Sequence, residues 1–93
     1  MTKYKYVVTN QFRKDVKLCI KQGKDINLLE KVISILLEKG MLPPTYHPHK
    51  LSGCFAGYWE CHIQSDWLLI WQQNDDELIM LMTRTGTHSA LFD

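Results

Sequence analysis

The 93-residue chain is 45% apolar and 23% charged, a balance that excludes disordered and collagen-like polymers and leaves room for one small domain around one core. Its net charge is only +1, yet residues 1–50 carry ten Lys and Arg against four acids, while residues 51–93 carry one Arg against six acids. Such asymmetry predicts a cationic face that meets a polyanion or an acidic partner, with a merely solvated helix surface as the competing explanation. No apolar stretch approaches the roughly 20 residues that cross a bilayer. The opening MTKYKYVV lacks a secretory apolar region, so a cytoplasmic protein with no membrane partner is expected. Cys19, Cys54 and Cys61 form an odd set without CxxC spacing, which predicts free thiols.

In chain order, Tyr4, Tyr6 and Val8 alternate with Lys3, Lys5 and Val7, the period of a short strand with one face buried. Thr9 or Asn10 can cap a following helix, in which Phe12, Val16, Cys19 and Ile20 recur on one face and Gly23 ends the run. Arg13, Lys14, Lys17 and Lys21 lie on its other side. Asp25 can cap a second helix whose Ile26, Leu29, Val32, Ile33, Leu36 and Leu37 form an apolar stripe closed by Gly40. The short connection predicts an antiparallel hairpin. Pro43 and Pro44 stop the helix, and residues 41–57 read as an ordered loop of unusual length, itself a pointer to function.

Three short aromatic and aliphatic runs follow, Tyr58 to Ile63, Trp67 to Gln72 and Leu78 to Thr83. They are separated by Gln64-Ser65-Asp66 and Asn74-Asp75-Asp76, and so predict a meander. The order β-α-α-β-β-β reads as a single α+β domain over residues 1–93, with a helix hairpin on one face of a small, mostly antiparallel sheet. Alternation puts Tyr58, Glu60 and His62 on one face and Trp59, Cys61 and Ile63 on the other. It likewise separates Met80, Met82 and Arg84 from Ile79, Leu81 and Thr83. With the Trp59 and Ile79 sets assigned to the helices, His62 and Arg84 project from the uncovered face. Gly86 lets Thr85-Gly86-Thr87-His88 fold back beside them.

All four histidines, His47, His49, His62 and His88, lie in the second half without the spacing of a familiar metal site. Imidazole is the side chain best suited to proton transfer near neutral pH. Three of these histidines also belong to a wider pattern. It comprises Lys14-Asp15-Val16-Lys17-Leu18; His49 and Leu51 before Gly53; Gly57-Tyr58; His62 followed by Asp66-Trp67 and Leu69-Ile70; and Arg84-Thr85-Gly86-Thr87-His88 leading to Ala90-Leu91-Phe92. In these residues, over essentially its whole length, the chain resembles the RelE/ParE superfamily of bacterial toxins, and within it the YafQ-like ribosome-dependent mRNA endonucleases of type II toxin-antitoxin systems.

The resemblance implies an active site of His49, His62, Asp66, Arg84 and His88, with Trp67 and Phe92 shaping it or supporting the RNA, and with no metal or cofactor. Attack by the RNA's own 2′-hydroxyl needs a base there, an acid at the leaving 5′-oxygen and positive charge on the non-bridging oxygens. Arg84 suits the phosphate clamp. His88 is the candidate acid, and His49 the favoured base with Asp66 as its competitor; His62 holds the phosphate or positions His88. Trp67 and Phe92 either stack on bases or belong to the core, and Lys14, Lys17 and Lys21 are candidate contacts to ribosomal RNA. The implied partners are a cognate antitoxin, mRNA on the ribosome with its ribosomal RNA, and operator DNA for a toxin-antitoxin hetero-oligomer.

Two departures stand out. Trp59 precedes Glu60 where many relatives have Arg, and Lys50 follows His49 where a proline is common. The alternatives are a ParE-like, non-nucleolytic inhibitor of DNA gyrase, and a catalytically weakened domain kept for antitoxin binding. The three histidines favour the nuclease over the first.

Overall fold

Strand β1 (Lys5–Val8) leads through Thr9 into helix α1 (Asn10–Lys21) in the structure, a computed structural model that describes residues 2–92. Thr9 Oγ1 accepts from the Phe12 N–H at 2.9 Å and donates to the Thr83 carbonyl at 2.8 Å, so one hydroxyl both caps the helix and ties it to the sheet. Helix α2 (Ile26–Lys39) begins where Asp25 Oδ1 accepts from the Asn27 N–H at 3.0 Å. It ends at Gly40, whose left-handed φ of 71° and close approach to Tyr4 leave no room for a side chain: a Cβ there would lie 2.5 Å from the Tyr4 hydroxyl.

The remaining strands are β2 (His49–Lys50), β3 (Trp59–Gln64), β4 (Trp67–Asn74) and β5 (Ile79–Gly86), and a short helix α3 (His88–Phe92) closes the described chain. The sheet order is β1-β5-β4-β3-β2, with β1 parallel to β5 and every other pair antiparallel. The expected β-α-α-β-β-β order is therefore present, with two additions. The loop over residues 41–57 contains β2 and two single 3₁₀ turns, and the tail ends in α3. None of the helices is long and apolar enough to cross a membrane among the described residues.

The main core lies between the hairpin and one sheet face, where Phe12, Cys19, Leu29, Val32 and Leu36 meet Cys61, Leu69, Trp71, Met80 and Met82. A smaller cluster on the opposite face joins Leu68, Ile70 and Leu91, with Leu51, Tyr58 and Phe92 against it. The face read as uncovered is thus partly roofed by α3.

Three burial expectations change. Ile20 is 57% exposed and Asp15 is buried in its stead, because Asp15 finds partners on β5. Tyr6 points outward while Tyr4 is buried. On β5 it is Met80 and Met82, not Ile79, Leu81 and Thr83, that enter the core. The cause is a bulge: Trp71 pairs with Met82, but Ile70 pairs with Arg84, so Thr83 is the extra residue and the alternation inverts after it. Arg84 consequently reaches the face away from the hairpin, as expected, although the alternation that led there was reversed.

Candidate active site

One straight row crosses the sheet on the face away from the hairpin. His49 on β2 pairs with Glu60 on β3, Glu60 with Ile70 on β4, and Ile70 with Arg84 on β5. At the usual strand spacing its ends are roughly 14 Å apart. The neighbouring row runs from His62 through Leu68 to Gly86. Residues in register on one sheet face point the same way, so pairing alone gathers two imidazoles, a carboxylate and a guanidinium.

At one end of the row, His49 Nε2 lies 3.1 Å from Glu60 Oε1, and its Nδ1 lies 2.9 Å from the His47 carbonyl oxygen. Glu60 is only 7% exposed. His47 sits in the left-handed region at φ 50°, and its ring meets that of His62 edge-on with centroids 5.7 Å apart. These two rings line a shallow cleft of about 500 Å³ together with Thr45, Gln64 and Ser65.

At the other end, Arg84 donates from Nε and Nη2 to Asp15 of α1 at 2.8 and 3.2 Å. The reason lies in strand length. β1 stops at Val8, opposite Met82, so the backbone of β5 beyond Met82 has no strand on that side. Asp15 fills the gap, its Oδ2 also accepting from the Thr85 N–H at 3.1 Å. The guanidinium opens onto a cleft lined by Phe55, Tyr58, Ile70 and Leu91.

Helix α3 brings in the tail. Asp66, in the β3–β4 turn, accepts from the His88 N–H at 3.1 Å through Oδ1, and the Thr87 hydroxyl accepts from the Ala90 N–H at 3.2 Å. Leu91 then packs on Leu68 and Ile70. The exposed His88 ring lies 5.0 Å from that of Phe92, which meets Phe55 edge-on at 5.2 Å. The face therefore holds His49, His62 and Arg84, with Asp66, His88 and Phe92 at its α3 end.

Trp67 does not belong with them. It is 1% exposed, and its indole N–H donates to Thr85 Oγ1 at 2.9 Å, so the expected role of stacking on RNA is corrected to that of a core residue holding β4 to β5. Lys14, Lys17 and Lys21 are exposed on α1. Burial pushes the Cys61 thiol up to about 12 and raises that of Cys19, which removes both as nucleophiles. Among the described residues, no group of three or more His, Cys, Asp and Glu side chains is arranged to hold a metal ion.

Sequence reasoning missed Asp15, His47, Phe55 and Glu60 as members of the site. Two of them left a signal. Asp15 sits three residues after Phe12 and four before Cys19, on the apolar face of α1, and Glu60 shares its strand face with His62.

Residues 4–93 match the family described as the bacterial toxin of type II toxin-antitoxin systems, YafQ. The chain is 40% identical over 85 residues to the mRNA interferase toxin YafQ of Escherichia coli K12, covering 90% of each. It is similar in structure to YafQ in the E. coli DinJ-YafQ toxin-antitoxin complex, with a TM-score of 0.89 and 37% identity over 98% of this chain and 99% of that one. A metal-bound toxin from Helicobacter pylori superposes with a TM-score of 0.86 at 36% identity, over 99% of this chain and 100% of that one. On this match along nearly its whole length, and with the toxin fold built as described, the chain belongs to the YafQ family of bacterial type II toxin-antitoxin toxins.

Proposed function

We propose that this toxin is a metal-independent, ribosome-dependent mRNA endonuclease, held inactive by a cognate antitoxin. The observation that carries the reading is the single sheet face on which His49, His62 and Arg84 gather, with His88 brought to its edge by α3. Support also comes from the E. coli relative named an mRNA interferase and from the relative solved with DinJ.

In this reading Arg84 holds the non-bridging oxygens of the scissile phosphate, with donors kept aimed by Asp15. A base takes the 2′-hydroxyl proton, the 2′-oxygen attacks phosphorus, and the bond to the 5′-oxygen breaks as His88 delivers a proton to it. The products are a 2′,3′-cyclic phosphate and a 5′-hydroxyl. The nucleophile is part of the RNA, and the cations are side chains, so the chemistry asks for no metal. His62 steadies the phosphate, Phe92 offers an aromatic surface to a base, and Lys14, Lys17 and Lys21 supply sequence-independent contacts to ribosomal RNA. The site of action is the cytoplasm, where ribosomes are, and the antitoxin complex is the form that binds operator DNA.

Induced expression with mapping of transcript ends tests the reading. Cuts inside translated frames, ends bearing cyclic phosphate, loss of cutting when translation is blocked, and activity persisting in excess chelator are expected. Intact mRNA during growth arrest, with gyrase inhibited, would establish the ParE-like alternative instead.

A further inference from the structure

His47 touches two histidines of the site, and it does so from a backbone conformation uncommon outside glycine. A turn over Pro44–Tyr46 delivers it. The Tyr46 N–H donates to the Pro43 carbonyl at 3.1 Å and the His47 N–H to the Pro44 carbonyl at 3.0 Å, while Leu42 and Tyr46 anchor the segment in the main core. The turn closes with His47 in the left-handed region, at φ 50° and ψ 51°. Pro48 follows, and a proline pushes the residue before it toward extended backbone, which adds to the strain. Glycine would hold the position at less cost. An exposed imidazole stands there instead, so packing of the core does not explain it. Strained residues of this kind collect at sites that act on a ligand.

Each half of the residue meets one site histidine. The carbonyl oxygen, aimed by the left-handed turn, lies 2.9 Å from His49 Nδ1. This contact fixes the rotation of the His49 ring and turns its Nε2 edge toward β3. β2 is only two residues long, so little else of the strand steadies that ring. The side chain of His47 meets the His62 ring edge-on, with centroids 5.7 Å apart and planes at 78°, a favoured geometry for an aromatic pair. His62 stands in the wall of an open cleft, and His47 limits the swing of its ring on that side.

We propose that His47 is a positioning residue that sets two site imidazoles at once, His49 through its backbone carbonyl and His62 through its ring. It acts by orientation. A misplacement of about 1 Å in a reacting group costs on the order of 10²-fold in rate, so loosening either ring slows cleavage and leaves ribosome affinity alone. The effect on cleavage rests on the endonuclease reading; the orientation rests on the two contacts.

Substitutions in the full chain separate the two halves, read by single-turnover cleavage on programmed ribosomes with ribosome affinity and thermal unfolding alongside. His47→Gly keeps the left-handed backbone and its carbonyl but drops the ring. Cleavage at saturating ribosomes should fall roughly tenfold with affinity unchanged. His47→Phe returns an edge-on ring and should recover most of that loss. His47→Val disfavours the left-handed backbone, displaces the carbonyl as well, and should lose on the order of 10²-fold. His47→Ala, strained at the same φ but milder, replaces it should it fail to fold, and should still be slower than His47→Gly. In a His62→Ala background the loss from His47→Gly should vanish, because the ring it positions is gone. An equal loss in both backgrounds, or wild-type cleavage by His47→Gly, would overturn the link to His62. Strained variants no slower than His47→Gly would overturn the link to His49. A fall in affinity with the saturating rate kept would make His47 an RNA contact and overturn the positioning role. A wild type that leaves mRNA intact would overturn the endonuclease reading and the effect on rate with it, while proton NMR contacts between the His47 and His62 rings still decide the orientation.

Discussion

Asp15 on α1 grips Arg84 on β5 through two guanidinium nitrogens, and the same carboxylate takes the Thr85 backbone N–H. With the Gln11 amide, which donates to Oδ1 at 3.1 Å, four donors converge on one buried acid, so the first helix is joined to the site row at the point where β5 loses its neighbouring strand. Arg84 enters the site with its charge partly offset and its geometry fixed. Its contribution in the proposed reaction is aimed donors more than free charge.

Asp15→Asn keeps one acceptor oxygen but loses the fork. It should lower stability by about 1–3 kcal/mol, as expected for a buried group left partly unsatisfied. It should also reduce cleavage beyond what that loss explains. Thermal unfolding and the cleavage rate at saturating ribosomes, measured on one preparation, check both halves.

The tail divides at Thr87. Thr85 and Gly86 belong to β5, and the Thr85 hydroxyl links Trp67 to the Leu68 carbonyl, so a cut after Arg84 should prevent folding. A cut after Thr87 removes α3 and the packing of Leu91. It should leave a cooperative unfolding transition weakened by about 2–5 kcal/mol. His88→Ala alone, at an exposed position, should keep the wild-type melting temperature and lose on the order of 10²-fold in single-turnover cleavage. Wild-type cleavage by the chain cut after Thr87 would show that His88 is not the acid.

Trp67 and Phe92 should behave oppositely. Trp67→Ala empties a core site and should cost about 3–5 kcal/mol, seen in denaturant unfolding. Phe92 is half-buried against Phe55 and His88, so Phe92→Ala should cost less stability and act chiefly on cleavage.

A clasp far from the site should make stability pH-dependent. The Tyr4 hydroxyl donates to Asp75 Oδ1, and Gln73 donates to Asp75 and to the Gly40 carbonyl. The Tyr4 bond, followed by that of Gln73, lowers the pKa of Asp75, while the bond to Asp75, followed by burial, raises that of Tyr4. A depressed acid stabilises above its unfolded pKa and loses that contribution as pH falls through its folded value. A raised phenol stabilises below its unfolded pKa of about 10 and loses the contribution as pH climbs through its folded value. Melting temperature should therefore drop below about pH 4 and above about pH 10. Both slopes should be shallower in Tyr4→Phe than in the wild type.

Lys14, Lys17 and Lys21 line the exposed side of α1 and, among the described residues, take part in neither of the ion pairs His49–Glu60 and Arg84–Asp15. Changing all three to Glu should leave thermal unfolding nearly unchanged. Ribosome affinity should fall, and so should the slope of its dependence on salt, the signature of lost phosphate contacts.

What could be read without the folded chain was whatever depends on neighbours a few residues apart. Thr9, Asp25 and Gly40 bound the two helices, the stripe from Ile26 to Leu37 faces inward, and three β runs follow, because caps and periodicity act over one or two turns. The closing run from Arg84 to Phe92 marked the family in the same way. Tertiary structure alone decided the rest. The phase of β5 depended on a bulge set by its pairing with β4, and one extra residue there exchanges the two faces. The resemblance implied an RNA contact for Trp67 and a lone aromatic is as readily core; its burial and its bond to the hydroxyl of Thr85, 18 positions away in sequence, made it core. Asp15 and Arg84 are 69 positions apart, and His49 meets Glu60 through a two-residue strand too short to have a period of its own. Such pairs arise from register and from the need to satisfy buried polar groups, and neither is a property of any local window of sequence.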